Sequence, residues 1–101
     1  MKGQASKKLE GGKLVKAKVE AGYIIENIKI TGDFFLHPEE SIEDIETAIM
    51  NCHMSDSEKM ICDKIKNVVN EKNIQLVGVT PEAIASVVKE AFRSGMESSS
   101  S

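Results

Sequence analysis

The chain has 101 residues, which is enough for one domain and too few for two. Hydrophobic residues make up 41% of it, so a core can form. Only four side chains are aromatic, and the core must therefore be mostly aliphatic. A domain of this size leaves little room for a deep active site, which argues against a self-contained enzyme with a large substrate cavity.

The net charge of −3 hides an asymmetry along the chain. Residues 1–18 carry six lysines and one glutamate, a net charge of +5, whereas the remainder carries seven basic and fifteen acidic side chains, a net charge of −8. A basic head on an acidic body suggests an anionic partner at one end, and a solvated lysine-rich start explains it equally well. The acidity of the whole chain argues against general binding of nucleic acid.

The lack of a recognisable targeting signal and the two cysteines together predict a cytoplasmic protein. No apolar run approaches the ~18 residues of a transmembrane helix, and the polar first nine residues lack the apolar core of a secretory signal. Without a secretory signal, Cys52 and Cys62 are expected to be reduced thiols. Their spacing fits no CxxC motif, and small apolar positions on helix faces suit them better than a metal site with His53.

The first part of the chain predicts a hairpin. Residues 1–8 are expected to be a flexible basic lead-in, followed by a turn at Gly11-Gly12. Apolar and polar residues alternate over residues 13–20, which is typical of a half-buried strand. After a short turn at residues 21–22, residues 23–31 are rich in isoleucine and predict the returning antiparallel strand.

The second part predicts helices. Pro38 followed by two glutamates is typical of a first helical turn, with His37 at the N-cap, and a stripe of isoleucines follows. Ser55 and Glu58 fit a capping box that opens a second helix. Residues 74–79 predict a third strand, which would join the edge of the hairpin. Thr80 is the expected N-cap of a third helix that ends at Gly95.

This element order, β-β-α-α-β-α, predicts an α+β fold. The expected architecture is a small antiparallel or mixed three-stranded sheet with helices packed on one face. Residues 9–95 would form a single domain, and residues 96–101 a disordered tail.

The residues offer few candidates for chemistry. No nucleophile and base pair can be identified, and capping or surface packing is a commoner role than catalysis for a histidine placed like His37. Glycines let backbone N–H groups approach an anion, and a lysine adds a compact charge, so Gly11, Gly12 and Lys13 are candidates for a phosphate contact; a flexible turn is the alternative. The adjacent Phe34 and Phe35 point in opposite directions if extended. Either one is exposed for docking, or both enter the core.

Two segments together carry a resemblance to a known family. They are Gly-Gly-Lys at residues 11–13 and Gly-Asp-Phe-Phe-Leu-His-Pro-Glu-Glu at residues 32–40. Separated by a hairpin, they resemble the C-terminal accessory domain of lipoate-protein ligases, most closely over residues 8–49. Glu10 stands where the family often has proline.

The resemblance implies a function. These ligases activate lipoate with ATP and Mg²⁺ to lipoyl-AMP and transfer the lipoyl group to a lysine of an acceptor domain. The small domain supports the adenylation step, and in some archaea and bacteria it is a separate polypeptide. The chain thus resembles the accessory subunit of a bipartite ligase, a heterodimer with the catalytic subunit, that contacts acceptor domains only indirectly and is inactive alone.

The resemblance also assigns roles to residues. Gly11, Gly12 and Lys13 would lie closest to the nucleotide or its phosphates. The contact with the catalytic subunit would be shaped by a second group of residues, namely Asp33, Phe34, Phe35 and His37. No catalytic residue, metal site or cofactor of its own is expected in this chain, since ATP, Mg²⁺ and lipoate belong to the complex.

Two other interpretations stay open at the level of sequence. A non-catalytic binding module of similar α+β fold, of the sulfur- or cluster-carrier type, would need thiols placed for a persulfide or a metal. The chain could also be a fragment of a longer ligase.

Overall fold

The computed structural model describes residues 1–22, 24–50, 52–53 and 55–99. The elements in chain order are β1 Lys2–Lys8, a 3₁₀ turn Glu10–Gly12, β2 Leu14–Ala21, β3 Ile25–Gly32, β4 Phe35–His37, α1 Ser41–Ile49, α2 Glu58–Glu71, β5 Gln75–Val77 and α3 Pro81–Ser99. This confirms the α+β class, and the expected order is present with two further strands, β1 and β4. None of the described helices is long and apolar enough to cross a membrane.

The larger sheet has three antiparallel strands in the order β1-β2-β3. Strand β2 lies in the centre because its alternating Val15, Ala17 and Val19 are all buried, as the sequence predicts. Strand β3 adds Ile28 and Ile30 to the same face. Helix α3 packs on β1 and β2, and α1 on β3, so one face of the sheet is covered and the other is open.

The expected flexible lead-in is wrong, because residues 2–8 form the edge strand β1 and pair with β2 over their whole length. The inward positions of β1 include Gly3, and a Cβ there would collide with the Ala91 carbonyl and the backbone of Gly95. Helix α3 therefore crosses β1 with backbone against backbone. At Gly3 the crossing leaves no space for a side chain.

The smaller sheet consists of β4 and β5, which pair antiparallel. The expectation that the third strand joins the hairpin edge is therefore wrong, since β1 takes one edge of that sheet. At the other edge, the Ile30 N–H donates to the buried Glu46 carboxylate at 2.8 Å, and the Ile25 N–H donates to the Cys52 carbonyl at 3.1 Å. Helix α1 and the chain that follows it thus satisfy part of the β3 edge.

Three predictions about helix ends need correction. Helix α1 begins at Ser41 after a turn, so Pro38 is not its first residue and His37 is the last residue of β4 rather than a cap. The second helix is capped by Ser57, whose hydroxyl accepts from Met60 N–H at 3.2 Å, and not by Ser55. Helix α3 passes Gly95 and ends at Ser99.

Thr80 caps α3 as predicted, accepting from Ala83 N–H at 3.1 Å. Two expectations fall partly on residues outside the described part of the chain. These are Tyr23, predicted to begin the second strand, and residues 100–101 of the predicted tail.

Candidate functional site

The glycine turn has a backbone that requires glycine at one position. Gly11 has φ +81° and ψ 7°, in the left-handed region, and nothing lies within 4 Å of the position where a side chain would begin. The Leu9 N–H donates to the Lys13 carbonyl at 2.6 Å and closes the turn. Gly11 is thus exposed backbone on a fixed turn, which a partner group could approach closely.

Lys13 leaves this turn and reaches the second motif segment. Its Nζ lies 3.5 Å from the carbonyl oxygen of Asp33, and its aliphatic stem runs along Gly78, just after β5. The backbones are joined as well, because the Asp33 N–H donates to the Leu14 carbonyl at 2.8 Å. The structure therefore brings together the two segments that carry the resemblance, although they lie 20 residues apart.

Gly78 belongs to this site, and the sequence analysis missed it. Its φ is +87°, and a Cβ would press on the Lys13 stem at 3.0 Å. The backbone at position 78 thus favours glycine, and a side chain there would displace the Lys13 stem. A glycine between a short strand and the Thr80 cap was the available signal, but nothing in the sequence linked it to Lys13.

The two phenylalanines have separate roles, which resolves the alternatives left open by the sequence. Phe34 is half-buried, and its ring lies against Gly32, where a Cβ would be within about 3 Å of the ring carbons. Phe35 is 67% exposed and lies directly opposite Val77, itself 48% exposed. Phe35 and Val77 form an apolar pair open to solvent, an arrangement typical of a protein contact.

His37 lies on the same exposed face of β4 as Phe35, two residues further along and opposite Gln75. Among the described residues, neither histidine ring is hydrogen-bonded to a nucleophile or a carboxylate. Leu36, between Phe35 and His37, is buried and anchors the strand to the core. Of the four residues expected at a partner interface, the structure thus places Asp33, Phe35 and His37 on the surface and turns Phe34 inward.

We call the exposed residues Gly11, Lys13, Asp33, Phe35, Val77 and Gly78 the motif surface. It combines one lysine ammonium group, the backbone of a glycine turn and an exposed apolar pair. Such a surface can hold an anionic group beside a protein contact and exclude water from it. Besides Lys13, its one ionisable side chain is Asp33, and no histidine, serine or cysteine is among the six residues.

The cysteines lie elsewhere in the molecule. Cys52 is buried completely and Cys62 almost so, and burial raises the pKa of both thiols. A raised pKa keeps the thiols protonated and poorly reactive, which disfavours a carrier of sulfur or clusters. Among the described residues, no three His, Cys, Asp or Glu side chains are grouped to hold a metal ion.

Two comparisons with known proteins relate the chain to lipoate protein ligases. The family model described as bacterial lipoate protein ligase C-terminus matches residues 1–88. Among solved structures, the chain is similar to one from an archaeal lipoylation system, described as a bipartite lipoate protein ligase and its E2 lipoyl domain from Thermoplasma acidophilum. The identity is 27%, the TM-score is 0.70, and the match covers 86% of this chain and 93% of that chain. Curated protein sequences give no match.

Proposed function

Because the chain belongs to the family of lipoate protein ligase C-terminal domains, we propose that it is the accessory subunit of a bipartite ligase. Together with a catalytic subunit, it supports the ATP-dependent activation of lipoate to lipoyl-AMP, which precedes transfer to a lysine of an acceptor domain. The observation that carries the proposal is the meeting of Lys13 with Asp33 and Gly78 in one exposed surface.

The similar structure supports a separate small subunit. The match covers 93% of the archaeal chain, so that chain has little length beyond the shared fold. It comes from a ligase described as bipartite. By analogy, this chain works with a larger partner, and it is expected to be inactive alone.

The chemistry proposed for the motif surface is electrostatic. The ATP phosphates are negative, and charge develops on them as lipoate attacks the α-phosphorus and pyrophosphate leaves. A lysine ammonium group on a fixed turn stabilises that charge without reorganisation, and a closing apolar contact keeps water away. Lipoate, ATP and Mg²⁺ are bound in the complex, and Phe35 and Val77 dock this chain on the catalytic subunit.

The first experiment reconstitutes the ligase from its parts. This chain and the catalytic subunit are purified separately, and pyrophosphate release from lipoate and ATP is measured for each alone and for the mixture. Activity in the mixture alone supports the proposal. An equal rate from the catalytic subunit alone would exclude an accessory role.

The second experiment tests Lys13. We expect Lys13→Ala to lower the rate of lipoyl-AMP formation by about 100–1,000-fold, the range for losing one preorganised donor to a developing negative charge. Transfer from preformed lipoyl-AMP should be unchanged. Lys59→Ala is the matched control, because Lys59 is exposed on α2, a helix that packs on α1 and α3. Unchanged adenylation by the Lys13→Ala complex would exclude the proposed role.

A further inference from the structure

The open face of the three-stranded sheet carries most of the basic head. The strands alternate, so one side chain in two points away from the helices, and on β1 and β2 these outward side chains are exposed except for the half-buried Leu14. Five are lysines and one is acidic, and together they form what we call the basic sheet face: Lys2, Lys8, Lys16, Lys18, Glu20 and Lys29. The net charge of this face is therefore +4.

Two like charges lie opposite each other at the centre of the basic sheet face. Lys18 on β2 lies directly opposite Lys29 on β3, and like charges in such cross-strand pairs are destabilising. Within the described residues, no carboxylate lies within ion-pair distance of either ammonium group. Two shallow grooves of about 470 Å³ and 420 Å³ share Lys18 in their lining. Uncompensated repulsion at an exposed position indicates a requirement other than folding.

The charge of the remaining molecule limits what can bind there. The whole chain has a net charge of −3, so the part outside the basic sheet face has a net charge of −7. Three strands about 5 Å apart and about seven residues long span roughly 10 by 20 Å. Nucleic acid or a membrane would extend beyond this area and meet the acidic remainder. A compact acidic protein surface of the same size would not.

We propose that the basic sheet face docks an acidic patch of the lipoyl acceptor domain, a direct contact where the family resemblance implies only an indirect one. This inference rests on the proposed function, which involves two protein partners with different needs. The catalytic subunit is a lasting partner, and the exposed Phe35 and Val77 suit such a contact. The acceptor domain must arrive and leave in each cycle. Solvated lysines suit that, because they speed association and contribute little to holding the complex together.

The test uses Lys18→Glu, which places opposite charges on the central pair. We expect the melting temperature of the chain to rise, because the repulsion with Lys29 becomes attraction. At the same time, the Kd for the acceptor domain should rise about three- to tenfold at low ionic strength. The difference should shrink as salt is added. A gain in stability together with a loss of binding cannot come from damaged folding.

Two variants serve as comparisons. Lys29→Glu changes the other member of the pair and should have the same two effects. Lys59→Glu makes the same change of charge on α2, away from the face, and should leave acceptor binding unchanged. Binding is measured by titrating the chain, alone and in the reconstituted ligase, with the acceptor domain.

The outcomes separate this inference from the proposed function. The inference would be overturned if Lys18→Glu and Lys29→Glu bound the acceptor domain like the wild type. It would also be overturned if these variants bound the catalytic subunit more weakly and the acceptor domain with unchanged affinity. A third outcome would also overturn it: the wild-type chain binds duplex DNA or anionic vesicles more tightly than the acceptor domain, and both variants lose that binding. Failure of the chain to stimulate adenylation overturns only the accessory role, because the titration of the chain alone requires no adenylation.

Discussion

The buried face of the three-stranded sheet and the outer side of the two-stranded sheet contribute differently to this small protein. The three-stranded sheet has a continuous buried face, covered by α3 and α1. The two-stranded sheet has three residues in each strand, and its outer side exposes Phe35 and Val77. A two-stranded sheet is marginal by itself, so β4 and β5 depend on the core beneath Leu36. We therefore expect changes on the buried face of the first sheet to alter folding, and changes on the outer side of the second sheet to alter binding of the catalytic subunit.

The same substitution made in each region gives the largest contrast. Phe92 is completely buried in α3, and Phe92→Ala should lower the free energy of unfolding by about 3–5 kcal/mol. Phe35 is 67% exposed, and Phe35→Ala should change it by less than about 0.5 kcal/mol. Urea unfolding followed by circular dichroism measures both.

The reverse contrast is expected for assembly. Phe35→Ala should weaken binding of the catalytic subunit by about 1–3 kcal/mol, as for an aromatic anchor. A Phe35→Ala variant that unfolds easily, or one that binds the catalytic subunit like the wild type, would remove the proposed division between the sheets.

A smaller effect is expected where the edge strand β3 meets α1. Glu46→Ala removes the acceptor of the Ile30 N–H and should cost about 1–3 kcal/mol, the penalty for leaving a buried donor unsatisfied. Glu46→Gln keeps an oxygen at the same position and should recover most of the loss. Equal losses in both variants would show that the carboxylate acts in some way other than by accepting this hydrogen bond. Equilibrium unfolding measures the loss of stability in both variants and distinguishes these outcomes.

A smaller change in stability than at Glu46 is expected at Gly78, which directly follows strand β5 of the second sheet. Gly78→Ala should cost about 1 kcal/mol, because alanine is strained at φ +87°. Its Cβ should also displace the Lys13 stem. We therefore expect the Gly78→Ala complex to lose adenylation activity while it still binds the catalytic subunit. Pyrophosphate release and a binding titration on one preparation separate the two effects, and full adenylation activity would contradict the role of this packing.

The sequence predicts those parts of the fold whose apolar residues recur with a regular period. Strands β2 and β3 follow from alternation, and the three helices follow from isoleucine and valine stripes. Strand β1 cannot be found in this way, because its inward Gly3 and Ala5 are small and the rest of the strand is polar. The partner of β5 cannot be predicted either, since strand pairing depends on contacts between distant residues.

The candidate site likewise combines features that the sequence predicts with features that only the tertiary structure shows. The two motif segments and the exposed aromatic residue are visible in the sequence, because glycine, lysine and adjacent phenylalanines are local signals. Their meeting through Lys13 and Gly78 is a tertiary contact, and the inward turn of Phe34 depends on the space over Gly32. The basic sheet face could not be predicted from the sequence, because its prediction depends on knowing that residues 2–8 form a strand.

The crossing of β1 by α3 also has a consequence for the order of folding. The two elements are joined by a hydrogen bond from Lys7 Nζ to Ser86 Oγ, across 79 residues of chain. Closing so long a loop costs entropy before any contact repays it, whereas the hairpin of β1 and β2 and the hairpin of β2 and β3 each close over a few residues. The three-stranded sheet should therefore form early, and α3 should dock on β1 late. The basic sheet face lies on these three strands, so that surface should be assembled before α3 covers the opposite side of β1.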